Sequence, residues 1–185
     1  MRLFFAVKVS DAIVAEISEA MRTFPVRNPP WRWIPPENMH ITLKFLGEVD
    51  EGLVNGLRGA GEAVAAAARA FHIAFGPFGA FPNLARPRVI FFRATEGAGE
   101  LGAVASSLEG EAERLGLPRE ERPFKAHLTL ARIKEPLPPA VADRLAAVPP
   151  LTSRARQKVD RFVLMRSNLA RSGATYEEVA GFPLA

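Results

Sequence analysis

The segments His40-Ile41-Thr42-Leu43 and His127-Leu128-Thr129-Leu130 nearly repeat each other in the two halves of a 185-residue chain. The chain has only three histidines, and two of them stand in this frame. Along a β-strand, alternate side chains point to opposite faces. Each segment, if extended, therefore presents His and Thr on one face and two aliphatic residues on the other. The polar face suits a cleft and the aliphatic face suits a core. Two such strands can offer two imidazoles and two hydroxyls to one anionic substrate.

Working outward, residues 2–9 read as a first strand rich in Phe and Val, and Ser10 or Asp11 caps a helix through Ile13, Ile17 and Met21. Trp31–Ile34 is a short extended piece before a Pro35-Pro36 turn. The first motif strand runs from His40 to Leu46 and closes at Gly47. An alanine-rich helix over 51–69 follows, then strands over 71–78 and 88–94, and a second helix over 100–115. The second motif strand covers 127–133, and a short helix covers 139–147. One alternating strand is predicted from Val159 to Ser167, with a last strand over Thr175–Val179 paired to it across a Ser172-Gly173 turn. Helices interrupt groups of strands, and no βαβ run carries a glycine-rich phosphate fingerprint. The spacing of the motifs predicts an α+β fold: one domain over residues 1–185, built as a duplication of two lobes that share a groove.

A chain of this length with 48% hydrophobic residues can bury a sizeable core. It has no cysteine, which excludes disulfides, thiolate nucleophiles and cysteine zinc sites. No uninterrupted apolar run reaches membrane-spanning length, and the N-terminal apolar run is broken by Lys8 and Asp11. A cytoplasmic, monomeric protein is expected. The net charge of +4 does not by itself indicate nucleic acid. The basic cluster Arg154, Arg156, Lys158 and Arg161 is read as a solvated strand face or an RNA contact.

Imidazole titrates near pH 6.5, so of two at neutral pH one can accept a proton while the other donates one. That pair can break a phosphoester without a metal. General acid–base catalysis of this kind contributes about 10²–10⁴-fold. Thr42 and Thr129 would donate to the non-bridging phosphate oxygens. Arg132 is the best-placed cation, but ideal strand parity puts it opposite His127, so it reaches the cleft only across a bulge or bend. Lys44 shares parity with His40, and Lys125 with His127; both are further substrate-binding candidates. His72 lacks the motif and is assigned a structural role. Two histidines on separate strands without close partners make too few zinc ligands, and no Gly-x-Ser-x-Gly elbow is present. No metal and no cofactor are expected.

The paired His-x-Thr-Leu segments resemble the two-histidine phosphoesterase superfamily. The segments Arg2-Leu-Phe-Phe-Ala-Val, Trp33 to Gly47, Pro123 to Arg132, Phe162 to Leu169 and Gly173 to Glu177 resemble its RNA 2′,3′-cyclic phosphodiesterase branch, the LigT-like family. The resemblance implies a bilobal fold, each lobe an antiparallel sheet with helices outside. It implies hydrolysis of RNA 2′,3′-cyclic phosphate ends, tRNA fragments among them, to 2′-phosphates, and in some members reversible 2′–5′ ligation. Carried over, His40 and His127 are the catalytic pair and Thr42 and Thr129 hold the phosphate. His127 is expected to activate water and His40 to protonate the 3′ leaving oxygen, roles that can be exchanged. Phe45, Phe5 and Phe124 are considered as stacking partners for a terminal base; strand parity puts Phe45 on the face away from His40. The competing readings are a phosphodiesterase for small cyclic nucleotides and a non-catalytic module that binds RNA ends.

Overall fold

In the computed structural model, residues 1–27, 29–151, 156–170 and 173–185 are described. The chain opens with β1 (Arg2–Lys8). The Ser10 hydroxyl accepts the Ile13 N–H and caps α1 (Asp11–Arg22), whose Ile13 and Ile17 face the core. Then come β2 (Arg32–Trp33), a 3-10 turn at Pro36–Asn38, and β3 (His40–Glu48). Asp50 caps a second 3-10 turn that leads into α2 (Val54–Ala67). The chain continues through β4 (Phe71–Phe81), β5 (Val89–Glu96), α3 (Ala98–Arg114), β6 (His127–Arg132) and α4 (Pro139–Ala146). It ends with β7 (Gln157–Val159), β8 (Arg161–Ala170) and β9 (Gly173–Pro183).

The strands form two sheets, β3-β1-β8-β9 and β2-β6-β5-β4-β7. Every pairing is antiparallel. The sheets meet where β3 lies against β6. This is the α+β, two-lobed architecture that the repeated motif predicts. One continuous apolar core joins both sheets to the helices, and Phe5, Ile41, Leu57, Phe92, Leu101 and Leu128 belong to it. A second, small cluster lies on the other face of the first sheet: Phe4, Ala6, Val163 and Met165, with Tyr176 packed against it. That face is the groove side.

Both motif strands carry a bulge at the same place. In the first sheet Ala6 pairs with Thr42 but Phe5 pairs with Lys44, so Leu43 is an extra residue. In the second, Phe91 pairs with Thr129 but Ile90 pairs with Ala131, so Leu130 is extra. A bulge shifts the strand's alternation by one residue. Residues four past each histidine, Lys44 and Ala131, turn into the core. Residues five past, Phe45 and Arg132, turn back to the groove.

Lys44 is the clearest departure from ideal alternation. Expected beside His40, it is instead 5% exposed on the core side. Its Nζ donates to Glu109 of α3 at 2.8 Å and to the Pro118 carbonyl at 3.1 Å. The same Glu109 carboxylate accepts the Glu120 N–H at 2.9 Å, which pins the segment leading to the second motif. The predicted Val159–Ser167 strand is likewise corrected. It divides at Asp160, with β7 pairing to β4 in one sheet and β8 to β1 in the other. Val159 enters the main core with Phe162 and Leu164, so the alternation shifts at the break, and β8 buries both its faces, with Val163 and Met165 on the groove side. The last strand is longer than predicted and pairs with β8 as expected, from Ala170 opposite Gly173. Ser172 of the proposed turn, and Arg154 of the basic cluster, lie outside the described residues.

Removing one partner of a buried ion pair strands the other charge, at a cost of about 3–5 kcal/mol. Lys44→Met is expected to lower the unfolding free energy by about that amount in urea denaturation. The double replacement Lys44→Met/Glu109→Leu should recover most of the loss, because it removes the stranded carboxylate too.

Candidate active site

Each imidazole is fixed by the backbone carbonyl two residues before it. His40 Nδ1 lies 2.7 Å from the Asn38 oxygen, and His127 Nδ1 lies 2.6 Å from the Lys125 oxygen. A carbonyl oxygen can only accept, so both Nδ1 atoms carry hydrogen. Nε2 is then the atom free to gain or lose a proton on each ring. His40 Nε2 lies 3.1 Å from the Thr42 hydroxyl. Asn38 is itself held in place, since its side-chain amide donates to the Ala174 carbonyl of β9 at 2.8 Å.

Aromatic rings bracket both histidines, again in parallel fashion. His40 contacts Phe4 of β1 and Tyr176 of β9, with centroids 4.9 and 5.1 Å away. His127 contacts Phe91 of β5 and Phe81 of β4, both at 5.1 Å. Phe91 fits beneath His127 because Gly79 stands beside it; a Cβ at Gly79 would come within 2.8 Å of the Phe91 ring. These rings limit the rotation of the imidazoles and exclude water from their flanks. Sequence reading did not single out Phe4, Phe81, Phe91 or Tyr176, since a strand aromatic looks the same whether it faces a core or a groove.

The remaining candidates divide by face. Thr42 and Thr129 share the groove face with their histidines and are half-buried. Arg132 is exposed on that face, brought there by the bulge. Lys125 is exposed, with its Nζ 5.5 Å from the centre of the Phe81 ring. Phe45 pairs with Phe4 and so lies on the groove side, 45% exposed, with the Arg2 guanidinium 4.9 Å from its ring centre. The parity expectation for Phe45 is thus reversed. Phe5 is 1% exposed in the core against Phe162 and Phe182, where no base can reach it. Phe124 packs into the main core beside α3. Lys44 faces away from the groove. His72 lies on β4 opposite Lys158, outside the paired arrangement. In the late basic cluster, Arg156 is bound by Glu96 and Arg161 by Glu178.

One arginine escaped the sequence reading. Arg32 of β2 pairs directly with Arg132 of β6, which sets it on the same face. Trp31–Ile34 was recognised as extended, but only strand register reveals its partner.

Electrostatics favour uncharged imidazoles in the free protein. Burial is the largest influence on His40 and lowers its pKa below the ordinary 6.5; the Asn38 carbonyl opposes this, and the charges of Arg132 and His127 reinforce it. His127 is lowered in the same way by burial, opposed by the Lys125 carbonyl and reinforced by Arg132. Arg132 thus lies close enough to act on both rings. The rings repel each other's protons, so the pair tends to carry one proton rather than two. An anion between them would offset these penalties.

Two cavities lie away from the imidazoles. One of about 400 Å³ is bounded by Met21, Phe24, Arg27 and Trp33. One of about 210 Å³ lies where Lys8 and Ser10 meet Lys158 and Arg161. Neither is lined by His40 or His127. Among the described residues, no three His, Asp or Glu side chains gather as a metal site, and no helix is long and apolar enough to cross a membrane.

A family model described as LigT like phosphoesterase matches the chain over residues 7–91 and 93–176, one match per motif. The chain is 35% identical to the RNA 2′,3′-cyclic phosphodiesterase of Thermus thermophilus, over 100% of this chain and 90% of that protein. It is 35% identical to the RNA 2′,3′-cyclic phosphodiesterase of Archaeoglobus fulgidus, over 98% of this chain and 99% of that protein. A solved structure from Thermus thermophilus matches with a TM-score of 0.82 at 34% identity, covering 100% of this chain and 98% of that one.

Arg132→Gln removes a positive charge that disfavours protonation of both rings. The pKa values of His40 and His127, followed by NMR titration of their ring carbons, are expected to rise together in this variant. If either stays where it is in the unmodified protein, Arg132 does not act on that ring.

Proposed function

Because the chain belongs to the LigT-like phosphoesterase family, we propose that it hydrolyses RNA 2′,3′-cyclic phosphate ends to 2′-phosphates, with His40 and His127 as its acid–base pair. The observation that carries this reading is the matched pair of imidazoles. Both have Nδ1 tied to a carbonyl, both have Nε2 as the working atom, and Arg132 lies within electrostatic reach of each.

The cyclic phosphate enters the groove as an anion and favours one protonated ring. His127 Nε2 takes a proton from water as the water oxygen bonds to phosphorus. The bond from phosphorus to the 3′ oxygen breaks, and His40 Nε2–H delivers its proton to that oxygen. The products are a 2′-phosphomonoester and a free 3′ hydroxyl; solvent returns the proton from His127 to His40. Before substrate arrives the Thr42 hydroxyl, 3.1 Å away, donates to the unprotonated His40 Nε2 and helps to hold that ring in place. Thr42 and Thr129 then donate to the non-bridging oxygens, and Arg132 neutralises the charge that builds on them. With a 5′ hydroxyl attacking in place of water, the 5′ oxygen bonds to phosphorus as the bond to the 3′ oxygen breaks, so the same groups would join RNA ends through a 2′–5′ linkage, and the reverse of that step would cleave one. Neither direction needs a metal. The exposed Phe45 suits a polymer end whose terminal base stacks outside the reacting centre.

An oligonucleotide ending in a 2′,3′-cyclic phosphate tests the reading directly. The product should be the 2′-monoester, formed equally well in EDTA. Loss of either imidazole, in His40→Ala or His127→Ala, should slow turnover by about 10²–10⁴-fold while the melting temperature changes little. A 3′-thio leaving group needs no proton, so it should rescue His40→Ala and not His127→Ala. For the unmodified protein, kcat/KM should follow a bell centred below pH 6.5, the ordinary imidazole value. Above the bell the acid has lost its proton, and below it the base has gained one. A 3′-monoester product, or undiminished turnover in either alanine variant, would refute the mechanism.

A further inference from the structure

Arg32 and Arg132 form a directly opposed cross-strand pair on the groove face of the second sheet. Like charges opposite each other in an antiparallel pair destabilise the sheet. Neither guanidinium has an ion-pair or hydrogen-bond partner among the described residues to relieve that repulsion, and both are exposed. By contrast, Lys8 and Arg161 share Glu178, and Arg156 is held by Glu96. An uncompensated pair of guanidiniums in fixed register is a binding arrangement for phosphate, which each can grip with two hydrogen bonds.

From this juxtaposition we propose that Arg32 binds the phosphodiester immediately 5′ of the cyclic end, and so makes the protein selective for oligonucleotides over mononucleosides. The inference rests on the hydrolase reading above. Two observations separate Arg32 from the reacting centre. β2 is the edge strand of its sheet, one strand beyond the motif strand β6, a displacement of about 4.8 Å. The charges that lower the two imidazole pKa values include that of Arg132 and not that of Arg32. Arg132 therefore serves the phosphate being cleaved, and Arg32 the next one along the chain. The RNA leaves the groove over β2.

The experiment compares a nucleoside 2′,3′-cyclic phosphate, which has no 5′ phosphate, with a dinucleotide ending in the same cyclic group. In Arg32→Gln the ratio of kcat/KM for dinucleotide over mononucleoside should fall by roughly 10- to 100-fold, the effect of losing one charge-assisted hydrogen bond. The salt dependence of dinucleotide binding should weaken by about 0.7 in log–log slope, the value for one phosphate contact to a single strand. Arg32→Lys should recover part of the ratio, and the pH bell should stay in place, unlike that of Arg132→Gln. A ratio equal to that of the unmodified protein would overturn the proposal, whether both substrates suffer alike or neither does. Calorimetric binding of the two 2′-phosphorylated products makes the same comparison without turnover. If the unmodified protein cleaves neither substrate, the hydrolase reading fails, while product affinity still decides the role of Arg32.

Discussion

A bulge at the same point of each motif strand governs the arrangement of this molecule. Leu43 and Leu130 are bulged at the same distance from their histidines. Before the bulge, His and Thr look into the groove. After it, the next position drops into the core and the following one returns to the groove. A regular strand would have sent Arg132 into the apolar interior and exposed Lys44. With the bulge, Arg132 meets solvent beside both imidazoles, and Lys44 becomes a buried strut to Glu109. The same six-residue device thus gives the groove its cation on one side and an aromatic, Phe45, on the other.

The groove is shaped to keep its imidazoles neutral until an anion arrives. Burial, aromatic flanks and the arginine charge all disfavour a second proton. The carbonyls at Asn38 and Lys125 partly oppose this and fix which nitrogen works. A phosphate placed between the rings reverses the balance, since its negative charge compensates both the arginine and one imidazolium. On the proposed mechanism, substrate binding and protonation are linked, and the energy for charging the acid comes from the ligand.

The two halves match in more than sequence. Each histidine has a carbonyl anchor two residues before it, a hydroxyl two residues after, and a ring on the neighbouring strand. The duplication is not tidy in topology, however. The first sheet takes two strands, β8 and β9, from the end of the chain, and the second takes one edge, β2, from residues before the first motif. That interleaving joins the lobes through one continuous core. It also brings Arg32 beside Arg132, a contact between residues far apart in the chain.

The sequence alone determined the element order, the two-lobed α+β class and the four residues His40, Thr42, His127 and Thr129 on one face of their strands. These are local properties: alternation of polar and apolar residues fixes a strand's faces, and capping and proline fix where helices start and stop. Only the tertiary structure decided which face Lys44, Phe45 and Arg132 occupy, where the strand near Asp160 changes sheets, and which aromatic rings flank the histidines. A bulge depends on how a strand pairs with its neighbour, and pairing register arises from contacts between distant segments. No pattern within a single strand encodes it.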